Sequence, residues 1–222
     1  MRSRSSVLSH VLGSHPSIVG YKELHLNYHN AMSLMNMRKA ITSEFGSVLE
    51  GDFLLDKLLS NRNCVASKLF KKRTIKAIIL LREPEATIKS IMNMGSITNV
   101  QWYKDPVKAT DYYCARLSYI EQYSKQIAGH YFFVQSSDLV KNTENTLNAL
   151  TKWLDLDEPL DKHYSIFQDT GKPGYGDPSD CIKTGILKTT NGYPDIEIPL
   201  EVLQRAEDCY AKCRQSLLEN VG

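Results

Sequence analysis

Five polar residues at the start of the chain are the first candidates for chemistry. Arg2, Ser3, Arg4, Ser5 and Ser6 run directly into apolar residues at helical spacing, and Ser5 or Ser6 is the predicted N-cap of that helix. Such a loop offers backbone N–H groups and the positive end of the helix dipole to a phosphate-like anion. The alternative is a solvated basic N-terminus on a surface helix, because no glycine lets a phosphate approach the backbone.

A second group of candidate residues follows the most apolar strand of the chain. Residues 75–81 (IKAIILL) predict a parallel strand covered on both faces, with Arg82 at its end. Ser90 lies about two helical turns along the next segment. An arginine and a hydroxyl held on rigid elements can bind one phosphate by charge and by hydrogen bond. The alternative pairs Arg82 with Glu83 or Glu85 and gives Ser90 no special role.

The elements that must position these residues alternate along the chain. Apolar runs predict strands at residues 18–21, 53–55, 75–81 and 131–134. Helical periodicity predicts helices near residues 5–12, 26–47, 62–72, 85–94, 106–128, 143–154 and 199–219, with loops at 95–105 and 168–195. Short strands alternating with helices predict an α/β fold with a mostly parallel sheet, in a single domain over residues 1–222.

Composition limits the classes of function that the chain can have. The net charge of +2 over 222 residues indicates no binding of nucleic acid through bulk charge. The five cysteines are scattered and form no CxxC pair, which indicates neither a zinc site nor a disulfide framework but free thiols in a reducing, cytoplasmic compartment. No apolar run reaches the length of a membrane span, and no signal peptide is visible.

Together the two groups resemble the motifs of the sulfotransferases that use 3′-phosphoadenosine 5′-phosphosulfate (PAPS). In that family a loop of the type (Arg/Lys)-Ser-Gly-(Ser/Thr)-(Ser/Thr) binds the 5′-phosphosulfate, and residues 2–6 (RSRSS) are similar to it. A strand-end Arg-x-Pro with a serine eight residues later binds the 3′-phosphate, and Arg82, Pro84 and Ser90 have that spacing. The resemblance covers nearly the whole chain and implies a three-layer α/β/α sulfotransferase fold, which is P-loop-kinase-like.

The residues between these motifs resemble the branch of the family that uses a glutamate base, which includes the tyrosylprotein and carbohydrate sulfotransferases. Glu23 stands where that branch has its base, just after the second strand, and Lys57 resembles its strand-end lysine, 25 residues before Arg82. The resemblance therefore implies that Glu23 accepts the acceptor proton. Lys57 and Arg2 are expected to stabilise the transferring group and the departing 5′-phosphate.

These catalytic candidates also have structural interpretations. Glu23 can be a solvated carboxylate at the end of a strand, and Lys57 can form a salt bridge with Asp56 or another acid. His25 is the second choice for the base. His25 and His29 can line the acceptor site, although a surface or core role is the default for each histidine.

The late loop adds two residues, and the start of the chain departs from the family pattern. Residues 179–185 (SDCIKTG) resemble the loop that closes over the nucleotide, so Ser179 and Lys183 are expected to contact it. Arg4 replaces the loop glycine, which predicts either an unusual backbone conformation or a direct contact of Arg4 with the anion. Only Met1 precedes the loop, where the family has a strand, so we expect a fold without that strand or a start farther upstream.

The resemblance implies sulfuryl transfer from PAPS to a hydroxyl, without a metal. A carbohydrate or glycolipid is the first expected acceptor and a peptide tyrosine the second, with residues 24–50 and 95–105 shaping the pocket. One alternative is a P-loop-type phosphotransferase, for which the chain lacks a Gly-x4-Gly-Lys-(Ser/Thr) loop and an evident magnesium-binding aspartate. The other is a catalytically impaired remnant that only binds the nucleotide. The sequence does not indicate an oligomeric state.

Overall fold

A computed structural model gives the structure of the chain and describes residues 2–71, 74–172, 177, 180–189 and 192–221. Its helices and strands follow in chain order as α1 (Ser5–Gly13), β1 (Ile18–Val19), α2 (Ala31–Phe45), β2 (Phe53–Leu54), β3 (Ala77–Leu81), α3 (Pro84–Thr98), α4 (Gln101–Lys104), α5 (Pro106–Gln126), β4 (Tyr131–Gln135), α6 (Asp138–Lys141), α7 (Thr143–Leu154) and α8 (Leu200–Asn220). Two short 3₁₀ helices span Ser67–Lys71 and Asp180–Thr184.

The chain divides into two compact units. The β1–β2 unit contains Arg4–Ile75 and Asp138–Thr189, and the β3–β4 unit contains Met1–Ser3, Lys76–Ser137 and Thr190–Gly222. The expectation of a single domain over residues 1–222 remains a prediction. None of the helices in the described ranges is long and apolar enough to cross a lipid bilayer.

The strands pair in parallel, as the sequence predicts. In the β1–β2 unit Ile18 lies opposite Phe53, and in the β3–β4 unit the register runs from Ala77 opposite Tyr131 to Leu81 opposite Gln135. The described residues form two separate two-stranded sheets. Leu81 is fully buried, whereas Ala77 to Leu80 are half-buried, so the expected cover on both faces of this strand is complete only at its last residue.

The core of the β3–β4 unit lies where α5 packs against α8. Tyr113 and Leu117 from α5 are buried, as is Leu217 from α8. The hydroxyl of Tyr131 on β4 donates to the Leu217 carbonyl oxygen at 2.7 Å, which ties β4 to α8. Burial of each such side chain stabilises the fold by about 2 kcal/mol. This core therefore fixes β4 and its partner β3, which ends at Leu81, directly before Arg82.

Two glycines bring α1, β1 and β2 close together in the β1–β2 unit. A Cβ on Gly13, the last residue of α1, would lie 2.4 Å from the Gly20 carbonyl oxygen. A Cβ on Gly20, which has a φ of +112°, would lie 2.5 Å from the Leu55 carbonyl oxygen. Only glycine leaves room for these backbone contacts. They bring together the segments that carry Glu23 and Lys57.

The prediction of a helix over residues 62–72 is wrong for residues 62–66. Tyr28 donates its backbone N–H to the Cys64 carbonyl oxygen at 2.9 Å, and Ala66 donates to the Tyr28 carbonyl oxygen at 2.7 Å. This parallel bridge holds residues 64–66 extended, so only the 3₁₀ helix Ser67–Lys71 follows it.

The prediction of a polar loop over residues 95–105 is also wrong. Helix α3 continues to Thr98, where Asn99 ends it in the left-handed conformation with a φ of 55°. The short helix α4 follows, and the Asp105 carboxylate then caps α5 by accepting from Val107 N at 2.8 Å and from Lys108 N at 3.2 Å. The segment is therefore helical except at Asn99, Val100 and Asp105, although no apolar periodicity predicts it.

The contact at Gly20 gives a stability prediction. Gly20→Ala should lower the free energy of unfolding by about 3 kcal/mol, because the new methyl group meets the Leu55 carbonyl oxygen and the residue keeps a positive φ. Gly51→Ala is the matched control, since Gly51 lies in the same unit and has a φ of +95° but open space around it. It should cost only about 1 kcal/mol. Equal losses in urea unfolding of the two variants would contradict this packing.

Candidate functional site

Arg2, Arg82 and Ser90 meet within the β3–β4 unit. The Arg2 Nε donates to the Ser90 hydroxyl oxygen at 3.1 Å. Nη1 of Arg82 donates to the Arg2 carbonyl oxygen at 2.7 Å. Ser90 is buried, and both arginines are half-buried. We call these three residues the arginine cluster. The fold brings Arg2 to Arg82 and Ser90, which lie 80 and 88 residues farther along the chain.

Neighbouring elements fix the strand end that carries Arg82. The Tyr113 hydroxyl on α5 donates to the Arg82 carbonyl oxygen at 2.8 Å. The Gln135 amide at the end of β4 donates to the Glu83 carboxylate at 3.0 Å. Pro84 then begins α3, as its position after the strand predicts. The backbone of Arg82 is therefore held between α5, β4 and α3.

The arginine cluster is suited to a doubly charged anion. Two guanidinium-bearing residues and one hydroxyl converge, and guanidinium groups bind phosphate through directed, charge-assisted hydrogen bonds. The two acids next to Arg82 have partners within the unit: Glu83 accepts from Gln135, and Glu85 pairs with Lys89 at 2.8 Å. The expected pairing of Arg82 with a phosphate remains a prediction.

The residue before α1 has a left-handed backbone. Arg4 has φ 64° and ψ 17° and is the N-cap, without a side-chain capping bond. The prediction of Ser5 or Ser6 as the N-cap is therefore wrong: both serines lie inside the first turn, which begins with Leu8 N donating to the Arg4 carbonyl oxygen at 3.1 Å. An αL residue followed by helical residues turns successive N–H groups towards one point, a nest that binds anions. Arg4 thus adopts the conformation that glycine adopts at less cost.

Lys57, Ser6 and Glu23 meet within the β1–β2 unit. Nζ of Lys57 donates to the Ser6 hydroxyl oxygen at 3.2 Å, and it lies 3.9 Å from Glu23 Oε1. Lys57 is buried, with 8% of its surface exposed. We call these residues the lysine cluster. A buried ammonium group beside a carboxylate and the first turn of a helix can stabilise a transferring anionic group and orient a base.

Asp56 supports the lysine cluster through the backbone. Its Oδ1 accepts from Leu24 N at 2.8 Å and from Lys57 N at 2.7 Å, and its Oδ2 accepts from the Tyr28 hydroxyl at 2.5 Å. The sequence suggested Asp56 only as a salt-bridge partner for Lys57, whereas the acid beside the ammonium group is Glu23. No sequence pattern indicates the part played by Tyr28.

His10 is a buried polar residue of α1 that the sequence interpretation missed. Because a carbonyl oxygen only accepts, His10 Nδ1 donates to the Ser6 carbonyl oxygen at 2.7 Å, and the neutral Nε2 accepts from the Thr170 hydroxyl at 2.9 Å. Burial lowers the pKa of His10 to about 4; the hydrogen bond to Ser6 opposes this shift, and the charge of Lys57 adds to it. The neutral ring therefore links the first turn of α1 to residue 170.

The remaining predicted site residues lie as follows. His25 and His29 are exposed, and His25 has a positive φ of 55°. Lys183 is exposed in the 3₁₀ helix Asp180–Thr184, and its aliphatic chain passes close to Gly171. Ser179 lies outside the described residues. Ser3, the second residue of the predicted phosphosulfate loop, is buried.

Two of the three methionines of α2 are exposed, and Met37 is half-buried. Met32 and Met35 are 60% and 54% exposed, and Ile41 is the buried residue of this helix. Helix α2 therefore packs through Ile41 and not through these two methionines. Met35 lines an open groove of about 500 Å³ together with Arg38, Lys39, Thr42 and Ser43. Within the described ranges, no three His, Cys, Asp or Glu side chains form a group that could hold a metal ion.

Comparison with known proteins identifies the fold. No family model and no curated protein matches the chain. A solved structure, the sulfotransferase domain from the Synechococcus PCC 7002 olefin synthase, matches with a TM-score of 0.54 and 20% sequence identity. The match covers 93% of this chain and 90% of that domain. The chain has the sulfotransferase fold. The predicted fold class is confirmed, and the site residues and substrates stay predictions, since this low identity shows the fold alone.

The left-handed backbone of Arg4 predicts a specific order of stability. Arg4→Gly should unfold with a free energy about 1 kcal/mol higher than Arg4→Ala, because both variants lose the side chain but only glycine relieves the backbone strain. Urea unfolding monitored by circular dichroism measures the difference. An alanine variant as stable as the glycine variant would contradict the left-handed conformation.

The burial of neutral His10 predicts a loss of stability in mild acid. Its pKa of about 4 in the fold lies below the ordinary value of 6.5, so the unfolded chain binds a proton first as the pH falls. Stability should fall by up to about 3 kcal/mol between pH 6.5 and pH 4. His10→Asn should flatten this part of the pH profile, whereas the exposed His163→Asn should not. A parent profile that is flat over this range would contradict the assignment.

Proposed function

We propose that this chain is a sulfotransferase that moves a sulfuryl group from PAPS to an acceptor hydroxyl. The observation that carries the proposal is the lysine cluster, in which the buried Lys57 contacts Ser6 in the first turn of α1 and lies beside Glu23. Sulfuryl transfer requires a cation for the transferring oxygens and a base for the acceptor. The sulfotransferase fold supports the same reaction class.

The arginine cluster is the proposed site of the 3′-phosphate of PAPS. Arg82 would supply charge and directed donors from the end of β3. The Ser90 hydroxyl accepts from Arg2, and it can donate its own proton to a phosphate oxygen. Ser90 is 2% exposed, so water would compete little for that hydrogen bond. These contacts agree with the roles that the sequence resemblance assigns to Arg82 and Ser90.

Residues 2–6 are the proposed site of the 5′-phosphosulfate. The left-handed Arg4 supports this role, because it turns the backbone N–H groups at the start of α1 in the manner of an anion-binding nest. Ser3, Ser5 and Ser6 would add N–H or hydroxyl donors, and Arg2 would add charge. Ser179 and Lys183 are the proposed late-loop contacts to the nucleotide.

The proposed reaction balances without a metal. The acceptor oxygen attacks the sulfur of PAPS, and a new S–O bond forms as the bond from sulfur to the phosphate bridging oxygen breaks. Glu23 takes the proton of the acceptor hydroxyl. The electron pair of the broken bond leaves with 3′-phosphoadenosine 5′-phosphate (PAP), and Lys57 and Arg2 offset the charge on the leaving phosphate and on the sulfuryl oxygens.

The proposed acceptor is a carbohydrate or glycolipid, with a peptide tyrosine second. The groove on α2 supports an amphipathic acceptor, since its methionine lies next to the basic Arg38 and Lys39.

The five cysteines are free thiols, which supports the proposed placement of the protein in the reducing cytoplasm.

Nucleotide binding tests the proposal directly. Isothermal titration should give micromolar binding of PAP. Arg82→Ala should weaken binding about 30-fold because a charge-assisted contact is lost, and Ser90→Ala about fivefold because a neutral donor is lost. ADP, which lacks the 3′-phosphate, should bind at least about tenfold more weakly than PAP.

Two variants of the same unit serve as matched controls. Arg205→Ala removes an exposed arginine that pairs with Asp111 at 2.6 Å. Ser96→Ala removes an exposed hydroxyl of α3 that donates to the Met92 carbonyl oxygen at 3.4 Å. Both should bind PAP like the parent. A folded parent that binds no PAP, or that binds ADP equally well, would refute the nucleotide site.

A further inference from the structure

One oxygen of Asp56 joins the two segments that carry the proposed base and the proposed cation. Oδ1 accepts from Leu24 N and from Lys57 N at 2.8 and 2.7 Å. The Leu24 N–H belongs to the peptide bond that follows Glu23, and the Lys57 N–H belongs to the same residue as the ammonium group. The peptide group after Glu23 and the N–H group of Lys57 are therefore hydrogen-bonded to the same oxygen atom.

The second oxygen of Asp56 is held by Tyr28. The Tyr28 hydroxyl donates to Oδ2 at 2.5 Å, and Tyr28 itself is 3% exposed. Its backbone is fixed on both sides by the bridge to Cys64 and Ala66. Burial, the hydrogen bond to Asp56 and the charge of Asp56 raise the pKa of Tyr28, in that order of effect, so the hydroxyl remains a donor. Tyr28 thus anchors the orientation of the carboxylate.

We propose that Asp56 and Tyr28 are positioning residues that hold the base Glu23 next to Lys57. The inference rests on the proposed function, since it assigns these residues a task in that reaction. The Lys57 Nζ and Glu23 Oε1 atoms lie 3.9 Å apart. This distance is long for an ion pair, so we do not attribute the position of the two side chains to that contact alone. Hydrogen bonds from Leu24 N and Lys57 N to one fixed carboxylate set the distance between the backbone positions from which the two side chains start. Neither Asp56 nor Tyr28 is required to touch the substrate.

Removal of the Tyr28 hydroxyl tests this role with the smallest change. Release of inorganic sulfate from radiolabelled PAPS, with water as the acceptor, measures kcat without knowledge of the natural acceptor. Tyr28→Phe should lower kcat about tenfold while the Kd for PAP changes by less than about twofold. Tyr164→Phe is the matched control, since Tyr164 is also buried in the β1–β2 unit and its hydroxyl donates to the Ile182 carbonyl oxygen at 3.1 Å.

Substitutions at Asp56 separate positioning from a requirement for charge. Asp56→Ala should lower kcat about 100-fold. Asp56→Asn keeps an oxygen that accepts from Leu24 N and Lys57 N, so it should recover about tenfold of that loss. Tyr28 acts only through the Asp56 carboxylate. The double variant Asp56→Ala with Tyr28→Phe should therefore be no slower than Asp56→Ala alone. An Asp56→Asn enzyme as slow as Asp56→Ala would overturn the positioning role.

Amide hydrogen exchange gives a second readout that does not depend on catalysis. Tyr28→Phe should exchange the Leu24 amide about tenfold faster than the parent, and Tyr164→Phe should not. If the parent releases sulfate but Tyr28→Phe leaves kcat unchanged, the inference is wrong and the proposed function stands. The same holds if Tyr28→Phe leaves the exchange rate of the Leu24 amide unchanged. A folded parent that releases no sulfate and transfers none to any hydroxyl acceptor overturns the proposed function and this inference with it.

Discussion

The close approach of three backbone segments at Gly20 is the constraint on which the β1–β2 unit depends. Gly20 lies against the Leu55 carbonyl oxygen, and Gly13 lies against the Gly20 carbonyl oxygen. Strands β1 and β2 have only two residues each, so the hydrogen bonds between them alone do not fix how the two segments are arranged. The glycine contacts set how closely α1 and the two strand ends approach. These contacts therefore place Glu23 and Lys57 near each other and near the first turn of α1.

Hydrogen bonds then convert this backbone arrangement into a chemical site. Asp56 fixes the backbones beside Glu23 and at Lys57, while the Lys57 ammonium group contacts Ser6. His10 holds the Ser6 carbonyl oxygen from inside the unit. Charged groups at low exposure interact more strongly than groups in water. A side-chain hydrogen bond to the backbone also fixes the arginine cluster in the β3–β4 unit, where the Tyr113 hydroxyl donates to the Arg82 carbonyl oxygen.

The sequence predicts the parts of this site that depend on strand ends and spacing. A run of apolar residues identifies β3 and thus places Arg82 at its end, and the spacing to Ser90 follows from the helix after Pro84. The sequence does not predict the N-cap at Arg4, because serine is normally favoured there. It offers the unusual backbone of Arg4 only as one of two expectations, from the glycine that the family has at this position. It also misses Asp56, Tyr28 and His10, since their bonds depend on backbone groups that only the fold brings near. The roles assigned to Glu23 and Lys57 remain predictions, although the fold brings these residues together.

The measurement that tests the central claim most directly is transfer of radiolabelled sulfate from PAPS to a panel of sugar, glycolipid and phenolic hydroxyls in the presence of EDTA. We expect the parent chain to label at least one acceptor without any divalent metal. Glu23→Gln should lower that rate at least about 100-fold, because the base is lost, whereas Glu144→Gln, at an exposed residue of α7, should not. A folded chain that binds PAP but transfers no sulfate would contradict the claim and leave a binding protein. A Glu23→Gln variant as fast as the parent would remove Glu23 as the base.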